Sequence, residues 1–199
     1  MTEYIGRLVS DERLGYFLKQ KLDEVLKNNK IETTETAQFY IWNLLLNPPV
    51  AEIDRKHAKQ PLAITYNQAQ SRGIGSRQSV ADFKLVGDTC LLVAGFWWNS
   101  LARSLVDVNY FVGLGSSAYG NVSQTDTELS EVLGELSDCF KEITNALIEM
   151  SIILDIAKTS DLELLRIYEA WTHTHNKALA RILAKYGIIP SADRNRKIH

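Results

Sequence analysis

The chain has 199 residues, a formal net charge of −2, 45% hydrophobic residues and 23% charged residues. That is enough chain for one domain with its own core, and its composition excludes disordered and collagen-like classes. The near-neutral balance lacks the basic excess of a nucleic-acid binder, and two cysteines, Cys90 and Cys139, exclude a disulfide framework or a four-cysteine zinc site.

The N-terminal stretch is interrupted by Glu3, Arg7, Asp11, Glu12 and Arg13, so no signal-peptide core fits there. The first helix is predicted over residues 11–27. Leu14, Leu18, Leu22 and Val25 mark one face, Ser10 is a candidate cap, and Asp11 and Glu12 suit the positive first turn. A second helix follows over 35–46 and stops at Pro48-Pro49. Residues 47–60 read as irregular. Pro61 suits the first position of a short helix to about Gln70, residues 71–78 read as a loop, and Ser79 can cap another short helix.

Residues 88–101 are apolar nearly all round, which predicts a central helix buried on most sides. Its longest apolar run, residues 90–98, is too short for a membrane span, which needs about 20 residues. A helix rich in Gly, Ser and Ala follows over 107–122. There Gly113, Ser117 and Asn121 recur at i+4, as do Gly115 and Tyr119. Over 126–157, Leu129, Leu133, Leu136, Phe140, Ile143, Leu147, Met150, Leu154 and Ala157 alternate at spacings of four and three. That is a heptad seam, and it predicts one long helix opened by a Thr125–Glu128 capping box. The last helix opens at a Ser160–Glu163 box and carries Leu162, Leu165, Tyr168, Trp171, His175, Leu179, Ile182 and Tyr186. It ends at Gly187 and Pro190. Two such helices joined by a short linker should form an antiparallel hairpin.

The expected architecture is therefore all-α: a single-domain bundle of about six or seven helices over 1–190, with a basic tail at 191–199. No alternating runs flank a turn, so no strands are expected. Cysteine usage and the lack of a signal point to the cytoplasm.

The run LVGDTCLLVAGFWWNSL, then LVDVNYFVGLGSSAYG, then LLRIYEAW and LAKYGIIP, resembles a group of bacterial all-helical proteins of uncharacterised function. That group carries Leu-Gly-Asp before an apolar helix ending in Gly-Phe-Phe, then Asp-Val-x-Tyr-Tyr/Phe and a later Ala-Tyr. Here Trp97 stands where the group has its second Phe. The resemblance spans roughly residues 80–190. It implies a helical fold and brings no activity and no catalytic residue.

Candidate chemistry is sparse. Glu169 and His173 share a helical face, but Glu-x-x-x-His occurs once, whereas a di-iron bundle needs Glu-x-x-His twice. His175 falls on the apolar stripe, and His57 lies in the basic run with Arg55, Lys56 and Lys59. Glu131, Glu135, Asp138, Glu142, Asn145 and Glu149 form a stripe beside the heptad seam. It reads first as a solvated face and second as a docking surface for a basic partner or a cation. The 71–77 loop, with Arg72 and Arg77, precedes a helix but lacks the Gly-Lys-Ser/Thr of a P-loop. No nucleophile elbow or Cys–His pair is present.

One constellation stands at the edges of the most apolar segment: Asp88, Trp97, Arg103, Asp107, Tyr110 and Tyr119. The bland reading makes Asp88 and Asp107 helix caps with Arg103 pairing one of them. The sharper one makes a ligand pocket, with Phe96, Trp97, Trp98, Tyr110 and Tyr119 as its wall and Arg103 as its anchor. Three functions are consistent with this: a non-enzymatic helical interaction or regulatory protein that forms a homodimer, a small-ligand binder, or a metal-dependent enzyme. The absence of a recognisable catalytic constellation favours the first. No cofactor, metal, membrane or nucleic-acid partner is expected.

Overall fold

The computed structural model describes residues 12–49, 62–98, 108–155, 167–168, 171–172, 177–185 and 188. Among these, eight α-helices and no strand are found: α1 (Glu12–Asn28), α2 (Glu35–Leu46), α3 (Leu62–Ser71), α4 (Arg77–Leu91), α5 (Val108–Ser123), α6 (Ser130–Asp138), α7 (Phe140–Asp155) and α8 (Lys177–Lys185). The protein is all-α across the described residues. No helix among them is long and apolar enough to cross a membrane.

Helices α1 and α2 form an antiparallel hairpin. Leu18, Leu22, Val25 and Leu26 of α1 and Ala37, Ile41, Leu44 and Leu45 of α2 are buried in the main core. The turn between them is closed locally. Ile31 N–H reaches back to the Leu26 carbonyl at 3.0 Å, a six-to-one closure, and Lys30 takes a φ of 55°. A lysine fills the left-handed position that glycine ordinarily occupies after a helix. The Thr34 hydroxyl then caps α2 by accepting the Ala37 N–H at 3.2 Å.

The expected short helix followed by a fresh helix at residue 88 is one continuous element. Ser76, not Ser79, caps it: its Oγ accepts the Ser79 N–H at 3.2 Å. The Ser79 hydroxyl instead donates to the Ala69 carbonyl at 2.8 Å, joining α4 to the end of α3. Asp88 therefore lies in the fourth turn of α4 and caps nothing. A Gly-Asp pair before an apolar run imitates a helix start, but Gly87 is there for packing. A Cβ at Gly87 would clash with the Cδ1–Cε1 edge of the Tyr119 ring. Beyond Leu91 the helix widens into a π turn, Leu92–Phe96, with the Trp97 N–H reaching the Leu92 carbonyl at 2.7 Å. Gly95 makes room there, since a Cβ on it would come within 2.8 Å of Leu147 Cβ on α7.

The heptad seam is internal. Leu133, Leu136, Phe140, Ile143, Leu147 and Met150 are at most 1% exposed. It is carried by two helices rather than one, because the ladder is disturbed at Cys139 (φ −108°, ψ 22°). The Ser137 carbonyl accepts the Ser116 hydroxyl at 3.0 Å while Ser137 Oγ donates to the Ser116 carbonyl at 2.8 Å. This reciprocal pair ties the chain to α5 two residues before the break. The Thr125–Glu128 box does not form either. The Thr125 hydroxyl donates backward to the Val122 carbonyl at 2.6 Å and closes the end of α5. α6 starts without a side-chain cap.

The small-residue helix packs by one face. Gly115 is buried, and a Cβ there would lie 2.7 Å from Cys90 Cβ and against the Phe140 ring. Gly113 and Ser117 are exposed. A second apolar cluster joins α7 to the C-terminal part: Trp98, Ile148, Ile152, Ile167, Trp171, Leu179, Ile182 and Leu183. Ile188 N–H reaches the Leu183 carbonyl at 3.0 Å, as a six-to-one helix closure requires. The predicted 160–163 box, the 47–60 stretch apart from its first residues, and the basic tail lie outside the described residues.

Candidate functional site

Two of the six predicted site residues are brought together. Asp88 is 3% exposed and Tyr119 is fully buried. Asp88 Oδ1 accepts the Tyr119 hydroxyl at 2.7 Å and the Tyr40 hydroxyl at 2.6 Å, and Oδ2 accepts Lys84 Nζ at 2.6 Å. The Lys84 ammonium, one turn before Asp88, also sits 5.3 Å from the centre of the Tyr40 ring. The two tyrosine rings meet edge to face, with centroids 6.3 Å apart.

Each partner arrives from a different helix. Tyr40 comes from α2, Asp88 and Lys84 from α4, and Tyr119 from α5. A buried carboxylate without donors would be strongly disfavoured, and here both oxygens are engaged. Burial, then the charge of Asp88, pushes the Tyr40 hydroxyl far above the ordinary tyrosine range. Tyr119 is raised for the same reasons in the same order, with Tyr40 adding to the effect. Both hydroxyls therefore stay protonated donors. This cluster ties α2, α4 and α5 together. Its two hydroxyls and the Lys84 ammonium all find their acceptor on Asp88.

The remaining predicted site residues fall apart. Trp97 is half-buried at the end of the π turn. Tyr110 is 45% exposed on the first turn of α5, its ring edge-on to Phe111 at 5.4 Å. Arg103 and Asp107 lie outside the described residues, as do His57, His173 and His175. Among the described residues no group of three or more His, Cys, Asp and Glu side chains could hold a metal ion.

The acidic stripe divides. Glu135 accepts both the Thr34 N–H (2.6 Å) and the Thr34 hydroxyl (2.7 Å), and Glu149, 8% exposed, accepts Asn29 Nδ2 at 2.7 Å. These two carboxylates fasten the α1–α2 turn to α6 and α7. Glu131, Asp138 and Glu142 remain exposed. In the 71–77 loop, Arg72 is paired with Asp82. Cys90 is buried, and burial pushes its thiol well up. Cys139 is half-buried, and burial, helped by Glu135 and Glu142, raises it to about 11.

What sequence reasoning did not single out is the outer face of the α1–α2 hairpin. Tyr16 is 74% exposed and Phe39 is 60% exposed. On α2, Trp42 donates Nε1–H to the Gly15 carbonyl of α1 at 2.9 Å and lies 5.4 Å from the Phe39 ring. The signal was present: Tyr16 falls opposite the Leu18–Leu22–Val25 stripe, where a polar residue belongs.

Comparison with known proteins finds no matching family model, no matching curated protein and no matching solved structure.

Proposed function

We propose that the chain is a non-enzymatic helical interaction protein that works as a homodimer, associating through the outer aromatic face of α1 and α2. The observation that carries this reading is the exposure of two large rings on the hairpin, Tyr16 on α1 and Phe39 on α2, the latter beside a Trp42 that is tied to Gly15 of α1. Large aromatics on a rigid helical surface lose little side-chain freedom when covered, and they supply much of the energy at protein interfaces. The polar cluster at Asp88 supports the same reading, because it is consumed in holding the hairpin on the bundle.

Light scattering on the eluting protein tests it. The wild-type chain is expected at twice its chain mass at high concentration. A Tyr16→Ser, Phe39→Ser variant is expected at the monomer mass with an unchanged helical circular-dichroism spectrum. A wild-type chain that remains monomeric throughout overturns the proposal.

A further inference from the structure

Resting on that reading, we infer how the second copy docks: the two α1 helices run antiparallel across a two-fold axis, with Lys19 of each copy against Asp23 of the other. The outer stripe of α1 reads Tyr16, Lys19, Asp23 and Lys27, spaced three, four and four, so these residues share one face. All four are exposed, and Lys19, Asp23 and Lys27 enter no ion pair among the described residues. The stripe borders α2, because a Cβ at Gly15 would touch Trp42 and Leu46 at 3.7 and 3.8 Å.

Charge along this stripe alternates, positive at 19, negative at 23, positive at 27. A two-fold interface brings the same patch of both copies together, residue i against j and j against i. With the axis between residues 19 and 23, each lysine meets an aspartate. The same operation sets Tyr16 beside Lys27 of the second copy, a ring-and-ammonium pairing. Placing the stripes parallel and in register would oppose like charges at every step, which is disfavoured. The face is self-complementary in one orientation.

Its size limits the affinity. The 17 residues of α1 span about 25 Å, and with α2 alongside the face covers about 500 Å² per copy. Roughly 1,000 Å² in total is near the lower bound for a specific interface, so the dimer is expected to dissociate in the micromolar range.

Charge reversal tests the arrangement by sedimentation equilibrium across the micromolar range. Lys19→Asp and Asp23→Lys are each expected to weaken the dimer about tenfold or more, with the melting curve of the monomer retained. Mixing the two single variants is expected to restore association to within about threefold of wild type, because each supplies the charge the other lacks. If the wild type dimerises but neither reversal weakens it, or mixing rescues nothing, this docking arrangement is overturned while self-association stands. If the wild type is monomeric, both fall.

Discussion

The Tyr119 ring lies directly on the backbone of α4 at Gly87, and its hydroxyl donates to the carboxylate of the next residue, Asp88, at 2.7 Å. One glycine and one aspartate thus receive the two ends of one tyrosine. The glycine admits the apolar ring, and the aspartate satisfies the buried hydroxyl. Tyr40 closes the same carboxylate from α2, so the aromatic face of the hairpin is fixed relative to the rest of the core.

Removing the acceptor is expected to be costly. In Asp88→Ala, two hydroxyls, one of them fully buried, lose their partner. Unsatisfied buried hydroxyls cost about 1–3 kcal/mol each, so the two together set a loss of about 2–5 kcal/mol. Lys84→Met leaves Oδ2 of the buried Asp88 without its donor and is expected to cost about 1–3 kcal/mol, less than Asp88→Ala because both tyrosine hydroxyls keep their acceptor. Urea unfolding of the two variants checks this. A loss below about 1 kcal/mol in Asp88→Ala would mean that the cluster holds nothing together.

Gly87→Ala is expected to destabilise by about 2 kcal/mol or more, through overpacking against the Tyr119 ring, despite alanine's better helix propensity. The same substitution made in a Tyr119→Ala background is expected to be neutral or favourable. Chemical denaturation of the four-protein cycle measures the coupling. Additive effects would show that the ring does not occupy that space.

Lys30 holds a left-handed conformation at the end of α1 with a φ of 55°. An L-residue is disfavoured there by roughly 1–2 kcal/mol, while glycine loses part of that advantage through its freedom when unfolded. Lys30→Gly is therefore expected to stabilise the chain by about 0.5 kcal/mol, seen as a higher urea midpoint. A lower midpoint would place the constraint elsewhere in the turn.

Alkaline pH is expected to unfold the protein. Tyr40 and Tyr119 have raised folded-state pKa values, so they bind protons in the folded state that the unfolded state releases above about pH 10. Their contribution is present below pH 10 and falls as pH rises beyond it, by up to about 2.7 kcal/mol per unit for two such groups. Cys90 acts in the same direction from its ordinary thiol range upward. Tyrosinate absorbance should show Tyr40 and Tyr119 ionising only together with loss of helical signal. Smooth ionisation of all eight tyrosines in the folded state would contradict the buried placement.

Much of the fold is local and so could be read from sequence. The α2 boundaries follow from Thr34 and the Pro48-Pro49 stop, and the buried seam from its four-three spacing. What could not be read depends on partners far along the chain. Asp88 resembles a cap until Tyr40 and Tyr119, 48 and 31 residues away, arrive. Glu135 and Glu149 belong to a solvated stripe until Thr34 and Asn29 reach them across 101 and 120 residues. The break at Cys139 lies beside a hydrogen bond from Ser116, which comes from another helix. Tyr16 is legible as an outward residue from the Leu18–Leu22–Val25 stripe, whereas Phe39 lies in an apolar run of α2, and only the packed structure leaves it 60% exposed.

Amide hydrogen exchange of the wild-type chain, compared at dilute and concentrated extremes, reads the self-association and its location together. Concentration-dependent protection is expected within residues 12–46, where the α1–α2 face is covered, and little change is expected in α3 through α5. Exchange that is independent of concentration, or protection that appears elsewhere in the bundle, would contradict dimerisation through Tyr16 and Phe39.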